Sequence, residues 1–266
     1  MQLTMLGTGS ASVTNCYNTC FVLSGNNEHF LIDAGGGNQI LKILNDQNID
    51  ITDLNHIFIT HSHTDHILGA VWLVRMIGQA INYDGCSKQF NIYCHDEAAE
   101  ALKIICCATL PASVTKHFGG QIKFHILNDG DRYTIIGNSM EFFDIKSDKT
   151  KQFGFIMTTI NSKKIVCCGD EPMAESIFDK AKDCDWLMHE AFCLYSERDI
   201  FKPYQKFHST VKDACETAEK LKVKNLILYH TEDTHLKNRK ELYSAEGKQY
   251  YHGNLFIPDD GEKTEI

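Results

Sequence analysis

Three histidines and an aspartate fall within six residues at His61-Ser62-His63-Thr64-Asp65-His66, directly after the short apolar stretch NHIFIT. Four metal-capable side chains at this spacing, none with an obvious partner of opposite type, suit a ligand set better than a solvated loop. In an extended segment residues two apart point the same way. His61 and His63 can therefore face one cation while Asp65 and His66, in the following turn, face a second. One loop then holds half of a binuclear site. The other half must come from strand ends distant in sequence, and two fit: Asp170, after Cys167-Cys168-Gly169, and His230, at the end of the apolar run Leu226–Tyr229. Histidine, aspartate and water around two metals suit hydrolysis, because the cations acidify a bound water and hold the attacking and leaving oxygens. The imidazole-rich set favours zinc, with manganese or iron as alternatives. Magnesium, which prefers oxygen donors, matches poorly.

A second group could move a proton. Glu190 ends the apolar stretch Trp186–His189, and His208 precedes a helical pattern whose N-terminal dipole alone disfavours an imidazolium. A carboxylate partner reverses that tendency, so a Glu190–His208 pair could protonate a leaving group as general acid.

Strands and helices must carry these residues. In the first third QLTML, TCFVL, HFLID and NHIFIT read as strands, with a glycine turn GTGSAS after the first and a helical period from Asn38 to Leu44. Ile67, Leu68, Val71, Val74 and Ile77 recur at helical spacing, which puts the His61–His66 cluster at a strand-to-helix junction. QFNIYCH reads as a strand and about Asp96 to Cys107 as a helix. QIKFHI, DRYTII, SMEFFDI, FGFIMTTI and KKIVCCGD follow as an antiparallel meander, the last two joined by a hairpin at Asn161-Ser162. The strands DWLMHE and NLILYH flank a helix from Thr210 to Leu221. Its Val211, Ala214, Cys215, Ala218 and Leu221 share one face, and Thr210 and Asp213 have capping-box spacing. Two strand-rich halves, each closed by helices, imply an α/β fold of stacked sheets with helices outside, in a single domain over residues 1–266.

The bulk properties narrow the partners. A composition of 43% hydrophobic and 23% charged residues over 266 positions is that of a globular domain and excludes a disordered chain. A net charge of -9 and a pI near 5.8 argue against a broad nucleic-acid surface, and the run Lys237-Asn238-Arg239-Lys240 reads as a solvated helix face. The apolar segment HILGAVWLVRMIGQAI is interrupted by Arg75 and is too amphipathic to span a membrane. Residues Met1 to Ser12 lack a secretory pattern, so a cytoplasmic protein is expected. Eleven cysteines, an odd number with adjacent pairs and no CxxC, do not make a disulfide framework. Cys94, Cys167, Cys168 and Cys215 lie in apolar segments and read as buried free thiols, as in a reducing compartment.

With these residues the chain resembles the metallo-β-lactamase superfamily, and within it the ribonuclease Z-like branch. The superfamily's HxHxDH pattern stands at His61 to His66, its later aspartate matches Asp170 and its last histidine His230. The likeness to the branch is carried by LGTGSA at Leu6–Ala11, FLIDAGGGNQIL at Phe30–Leu41, MHEAF at Met188–Phe192 and the HST before the Thr210 helix, so it runs from residue 3 to about residue 230. The resemblance implies a four-layer αβ/βα sandwich with His61 and His63 on a first metal and Asp65 and His66 on a second. Asp170 would bridge the two and His230 would complete the second site. It further implies that Asp65 positions the nucleophilic water, that Glu190 and His208 assist departure of the ribose oxygen, and that Asp33 supports the metal loop.

The chain departs from that branch in three places. The branch has a histidine shortly before an aromatic-glycine pair, here Phe153-Gly154, whereas residues 143–152 contain none; Asp148 or Lys146 takes the place by spacing. A lysine there would weaken the first metal site. Only fifteen residues separate Phe155 from Asp170, room for a hairpin but not for the tRNA-gripping arm of short ribonuclease Z enzymes. The segment after His230, Thr231-Glu232-Asp233-Thr234-His235, differs from the serine-containing one of the branch. The expected activity is thus metal-dependent hydrolysis of a small, cyclic or nucleotide-like phosphodiester, with tRNA a poor candidate and no membrane partner. Hydrolysis of thioesters, lactones or amides is the alternative, and a metal-binding member without turnover is a third reading. Nothing in the sequence either requires or forbids a homodimer.

Overall fold

The computed structural model describes all residues, Met1–Ile266. The chain divides into two compact units: Met1–Gly7, Tyr17–Asn128 and Asp260–Ile266 form the first, and Thr8–Cys16 with Asp129–Asp259 the second. Fourteen strands supply one seven-stranded sheet to each. In chain order they are β1 (Gln2–Gly7), β2 (Cys20–Gly25), β3 (Glu28–Ile32), β4 (Leu54–Phe58), β5 (Phe90–Cys94), β6 (Ile122–Ile126) and β7 (Arg132–Ile135). There follow β8 (Asn138–Asp144), β9 (Phe153–Thr158), β10 (Lys164–Cys167), β11 (Trp186–Glu190), β12 (Asn225–Tyr229), β13 (Asn254–Phe256) and β14 (Lys263–Glu265).

The first sheet runs β14-β1-β2-β3-β4-β5-β6. β14, β1, β2 and β3 pair antiparallel in turn, and β3 to β6 pair parallel. Helices Gln39–Asp46, Thr64–Tyr83 and Asp96–Thr109 supply the crossovers that parallel strands require. Their apolar stripes, Ile40 and Leu44, then Ile67, Leu73, Val74 and Ile77, then Leu102 and Cys106, join Leu31, Ile57 and Ile92 in one core. QIKFHI, expected in the meander, is instead β6, parallel to β5 in this first sheet. Strand propensity alone carries no partner information, and a helix before it makes the parallel crossover available.

The second sheet runs β13-β12-β11-β10-β9-β8-β7. The meander proper is β7 to β10, antiparallel, with the expected turn closing β9 onto β10 at Asn161-Ser162. Beyond it β10, β11, β12 and β13 are parallel. Helix Val211–Lys220 packs Val211, Ala214, Cys215 and Ala218 into the core of this unit, and Thr210 with Asp213 forms the capping box that its spacing predicts. The Lys237–Lys240 run is not a uniformly solvated face. Arg239 is buried, its guanidinium donating to Thr8 Oγ1, Thr231 Oγ1 and the Pro258 carbonyl, so it ties the Thr8 loop to the strand end at Thr231.

Both sheets place the residues of interest in the same way. Asp33 directly follows β3 and His61 stands three residues past the end of β4, while Asp170, Glu190 and His230 stand at or just past the carboxyl ends of the adjacent parallel strands β10, β11 and β12. Carboxyl ends of parallel strands are where open α/β sheets bind ligands, since the loops there are free of the hydrogen-bond ladder. Close packing fixes the first of these loops. A Cβ on Gly69 would lie 1.9 Å from the Ala34 carbonyl oxygen, and Gly69 N–H donates to Gly35 O at 2.8 Å. Gly69→Ala is therefore expected to destabilise the fold by about 3 kcal/mol through overpacking, which chemical denaturation reads directly; an unchanged unfolding midpoint would contradict this packing.

No helix is long and apolar enough to cross a membrane. All eleven cysteines are free, with Cys94, Cys167, Cys168 and Cys215 buried as expected.

Candidate metal centre

In the first unit one carboxylate sets the protonation of two imidazoles. Asp33, almost fully buried and in the left-handed region at φ +54°, accepts the Thr60 N–H through Oδ1 at 2.8 Å. Its Oδ2 accepts the Thr60 hydroxyl at 2.8 Å and His66 Nδ1–H at 2.7 Å. Because the Thr60 hydroxyl proton goes to Asp33, Thr60 Oγ1 is left to accept His61 Nδ1–H at 2.9 Å. Both Nδ1 protons are thereby committed, and the lone pairs of His61 and His66 are on Nε2. Burial pushes the Asp33 carboxyl above its ordinary pKa while His66 and Thr60 pull it down.

The Nε2 atoms meet donor groups of the same cluster. His61 Nε2 lies 2.9 Å from His63 Nδ1, with the rings edge to face, and His66 Nε2 lies 3.2 Å from Asp65 Oδ2. His61, Asp65 and His66 are buried and His63 is exposed. His63 is the residue that caps helix Thr64–Tyr83, so the extended backbone before the cap and the first helical turn after it bring all four side chains together. His61 and His63 converge, and the His61 and His66 rings lie tilted with centroids 4.2 Å apart.

In the second unit Asp170, His208 and His230 each offer a ligand atom within 4.8 Å of the other two, and all three are buried. Asp170 is held by a reciprocal clamp: Gln152 Nε2–H donates to its Oδ1 at 2.7 Å and its own N–H donates to Gln152 Oε1 at 2.9 Å. Gly169, at φ +77°, permits this, since a Cβ there would lie 2.0 Å from Gln152 Oε1. Asp170 Oδ2 is 3.5 Å from His230 Nε2, and His230 itself is held at φ +59°, a left-handed backbone rare for a non-glycine residue and found where a site fixes a side chain.

Glu190 and His208 are neighbours but not a hydrogen-bonded pair. His208 Nδ1–H donates to the Asp170 carbonyl at 2.9 Å, and the nearest Glu190 oxygen is 3.7 Å away. Glu190, fully buried, accepts the Ser209 N–H. Burial drives its carboxyl well above the usual range, with Ser209 opposing. Burial also lowers His208 to about 3, His230 adding to the effect. His189 beside Glu190 is structural: its Nδ1–H donates to the Glu190 carbonyl at 2.7 Å and its Nε2 accepts the Met173 N–H at 3.2 Å.

Neither residue that spacing offers for the missing histidine joins these groups. The Lys146 ammonium is exposed and pairs with Asp144 at 3.1 Å and Asp129 at 3.7 Å, and Asp148 is exposed. The segment instead sends Gln152 to Asp170 and Ser147 to Glu171, the latter at 2.8 Å. Lys149 is the other residue that composition could not single out: its ammonium lies 3.8 Å from Glu171 and over the Phe207 ring, and its charge acts on both Glu190 and His208. A lysine in a loop gives no periodic signal, and a glutamine before Phe153 is visible only as a departure from the branch.

The profile of the family described as Anti-Pycsar protein Apyc1 matches residues 1–252. The ribonuclease Z of Haloferax volcanii is 22% identical over 307 residues, covering 100% of this chain and 95% of that protein. Among solved structures, the metallo-β-lactamase fold protein YhfI from Bacillus subtilis matches with a TM-score of 0.80 at 16% identity, covering 100% of this chain and 99% of that one. Human tRNase Z, short form, matches with a TM-score of 0.76 at 20% identity, again covering 100% and 99%. The two mixed sheets with their helices are thus the metallo-β-lactamase fold. Since the family profile spans nearly the whole chain on that fold, this ribonuclease Z-like protein belongs to the family described as Anti-Pycsar protein Apyc1.

Proposed function

We propose that the protein hydrolyses a small phosphodiester, cyclic or otherwise nucleotide-like, with two zinc ions held by His61, His63, Asp65, His66, Asp170 and His230. A metal-dependent, phosphodiesterase-type hydrolase is the activity its ribonuclease Z relatives and its own clusters of histidine and aspartate support. The observation that carries the reading is the Asp33 network: a buried carboxylate that fixes two histidines with their Nε2 lone pairs free of protons prepares ligands for a cation. The donor set fits zinc, for which neutral imidazole and carboxylate are ordinary ligands, with manganese or iron as alternatives.

Cations so placed supply an acidified water and charge compensation for the phosphate oxygens. The chain's own residues do the rest. Asp65 orients the attacking water, and Asp170, clamped by Gln152, keeps its carboxylate from turning away. His208, with Nδ1 anchored on the Asp170 carbonyl, has Nε2 left to give a proton to the departing oxygen. Asp170 is the negative charge that favours the protonated form, with the Glu190 carboxyl 3.7 Å from the ring. Lys149 adds a positive charge beside these groups that suits a phosphate.

A small substrate is favoured over precursor tRNA by the β9–β10 connection, a tight turn with no arm, and by the net charge of -9. A cytoplasmic setting follows from the eleven free thiols.

Asp33→Ala is expected to weaken metal affinity by about 10–100-fold, the usual effect of losing a carboxylate behind a ligating histidine. Metal competition with a chromophoric chelator measures this, and unchanged affinity would remove Asp33 from the centre. The reading as a whole is tested by offering the metal-loaded protein cyclic nucleotides and precursor tRNA side by side: turnover of the small diesters alone is expected, and cleavage of tRNA alone would overturn the small-substrate assignment.

A further inference from the structure

The segment Thr231-Glu232-Asp233-Thr234-His235, which departs from the ribonuclease Z-like branch, has no part in the mechanism above, yet its polar side chains are tightly organised. Asp233 Oδ2 accepts the N–H groups of Thr14 and Asn15 at 2.7 and 2.8 Å. The two flanking acid and imidazole groups turn the other way, toward Glu197 in the short helical turn Tyr195–Glu197. His235 Nε2 donates to Glu197 Oε1 at 2.8 Å, and Glu197, Glu232 and His235 each present a ligand atom within 4.8 Å of the other two.

The carboxylates are only half used. Glu232 is 5% exposed; one of its oxygens accepts the Thr234 N–H and the other, Oε1, is buried with no hydrogen-bond partner. Glu197 Oε2 is likewise buried without a partner. Two carboxylates, each with a buried idle oxygen, are unfavourable unless a positive charge joins them. The nearby guanidinium of Arg239 hydrogen-bonds neither of them: its Nη1 donates to Thr8 and Thr231, its Nη2 to Pro258 and Asp259, and its Nε is buried without a partner. Burial pushes the pKa of the Cys193 thiol up, and the negative field of Glu232, Glu190, Glu197 and Glu246 adds to it. The site is reachable: His235 is partly exposed and lines an open groove of about 420 Å³ with Asn15, Asp233 and Lys237.

We propose that Glu197, Glu232 and His235 form a second divalent-cation site, separate from the catalytic ligands, that fastens the chain beyond β12 to the Tyr195–Glu197 turn. Two carboxylates and one imidazole, with positions left for water, suit a first-row cation such as Mn²⁺ or Zn²⁺. The site goes beyond the hydrolytic reading and does not depend on it.

Equilibrium dialysis of the full chain against Mn²⁺, which thiols bind poorly, tests the site, with bound metal counted by mass spectrometry. Glu232→Gln, Glu197→Gln and His235→Ala are each expected to bind one equivalent less than the parent chain. Asp170→Ala would lose a different equivalent, additively with any of the three. Mn²⁺ should also raise the melting temperature of Asp170→Ala by more than that of Asp170→Ala combined with His235→Ala. If Glu232→Gln fails to fold, the exposed-side variants Glu197→Gln and His235→Ala carry the result. Equal metal content in the parent and in both of these would show that the His235–Glu197 pair closes the cluster without a cation and would overturn the proposal.

Discussion

Replacing Asp170 by alanine in the metal-loaded protein is expected to lower phosphodiester turnover by about 10³-fold, the equivalent of roughly 4 kcal/mol of transition-state stabilisation. The size follows from where the residue sits. Asp170 is 3% exposed at the end of a central parallel strand, its Oδ1 and backbone N–H are both taken by Gln152, and its Oδ2 faces His230 at 3.5 Å. A carboxylate so clamped has little freedom to be replaced by water. Asp170→Asn keeps the shape and the Gln152 contacts while removing the charge, so it should fold like the parent and still lose most of the turnover. Steady-state kinetics with circular dichroism as the folding control would check both variants. Retention of more than about a tenth of the parent rate in Asp170→Asn would place the reaction elsewhere.

The second large effect is expected from His208→Ala, a loss of about 10²–10⁴-fold on substrates whose leaving oxygen is an alkoxide, the usual contribution of a general acid. The same variant should be much less impaired with a nitrophenyl diester, because that leaving group departs without a proton. The geometry motivates the contrast. His208 spends Nδ1 on the Asp170 carbonyl and has only Nε2 to offer, and it also lies within ligand distance of Asp170 and His230. If His208 bound a cation instead of donating a proton, both substrates would lose rate alike and metal content would fall. An equal loss on the two leaving groups would therefore reject the proton-donor role.

Much of the fold could be read from periodicity where local patterning and tertiary packing agree. The strand before His61, the helix after it with Ile67, Val74 and Ile77 buried, and the Thr210–Asp213 capping box are formed as their spacing predicts. Partner choice was not legible. β6 joins the first sheet in parallel while β7 begins the second, and β14 returns to pair with β1, because strand pairing over long separations depends on the whole core and not on any local signal. The C-terminal helix Arg239–Gly247 starts in a lysine-rich run whose one arginine is buried as a polar hub.

The same division runs through the site. The His61–His66 cluster, Asp170 and His230 stand out by residue type and position. The Asp33–Thr60–His61 relay appears only when the ends of β3 and β4 lie side by side. Gln152 was hidden because the sequence question concerned which residue replaces a histidine, and the fold answers with a hydrogen-bonding amide that holds Asp170, not with a metal ligand from Lys146 or Asp148.

The most direct measurement is a parallel turnover assay of the zinc-loaded protein on a nitrophenyl phosphodiester, a cyclic nucleotide, a thioester and a lactone, each repeated with Asp170→Asn. Hydrolysis of the two diesters, lost in the variant and absent from the carbonyl compounds, is the predicted result. Turnover of the thioester or lactone with neither diester touched would contradict it and move the chemistry to carbonyl substrates. No turnover of any of the four, with zinc bound, would contradict it as well and mark the chain as a metal-binding member without hydrolytic activity.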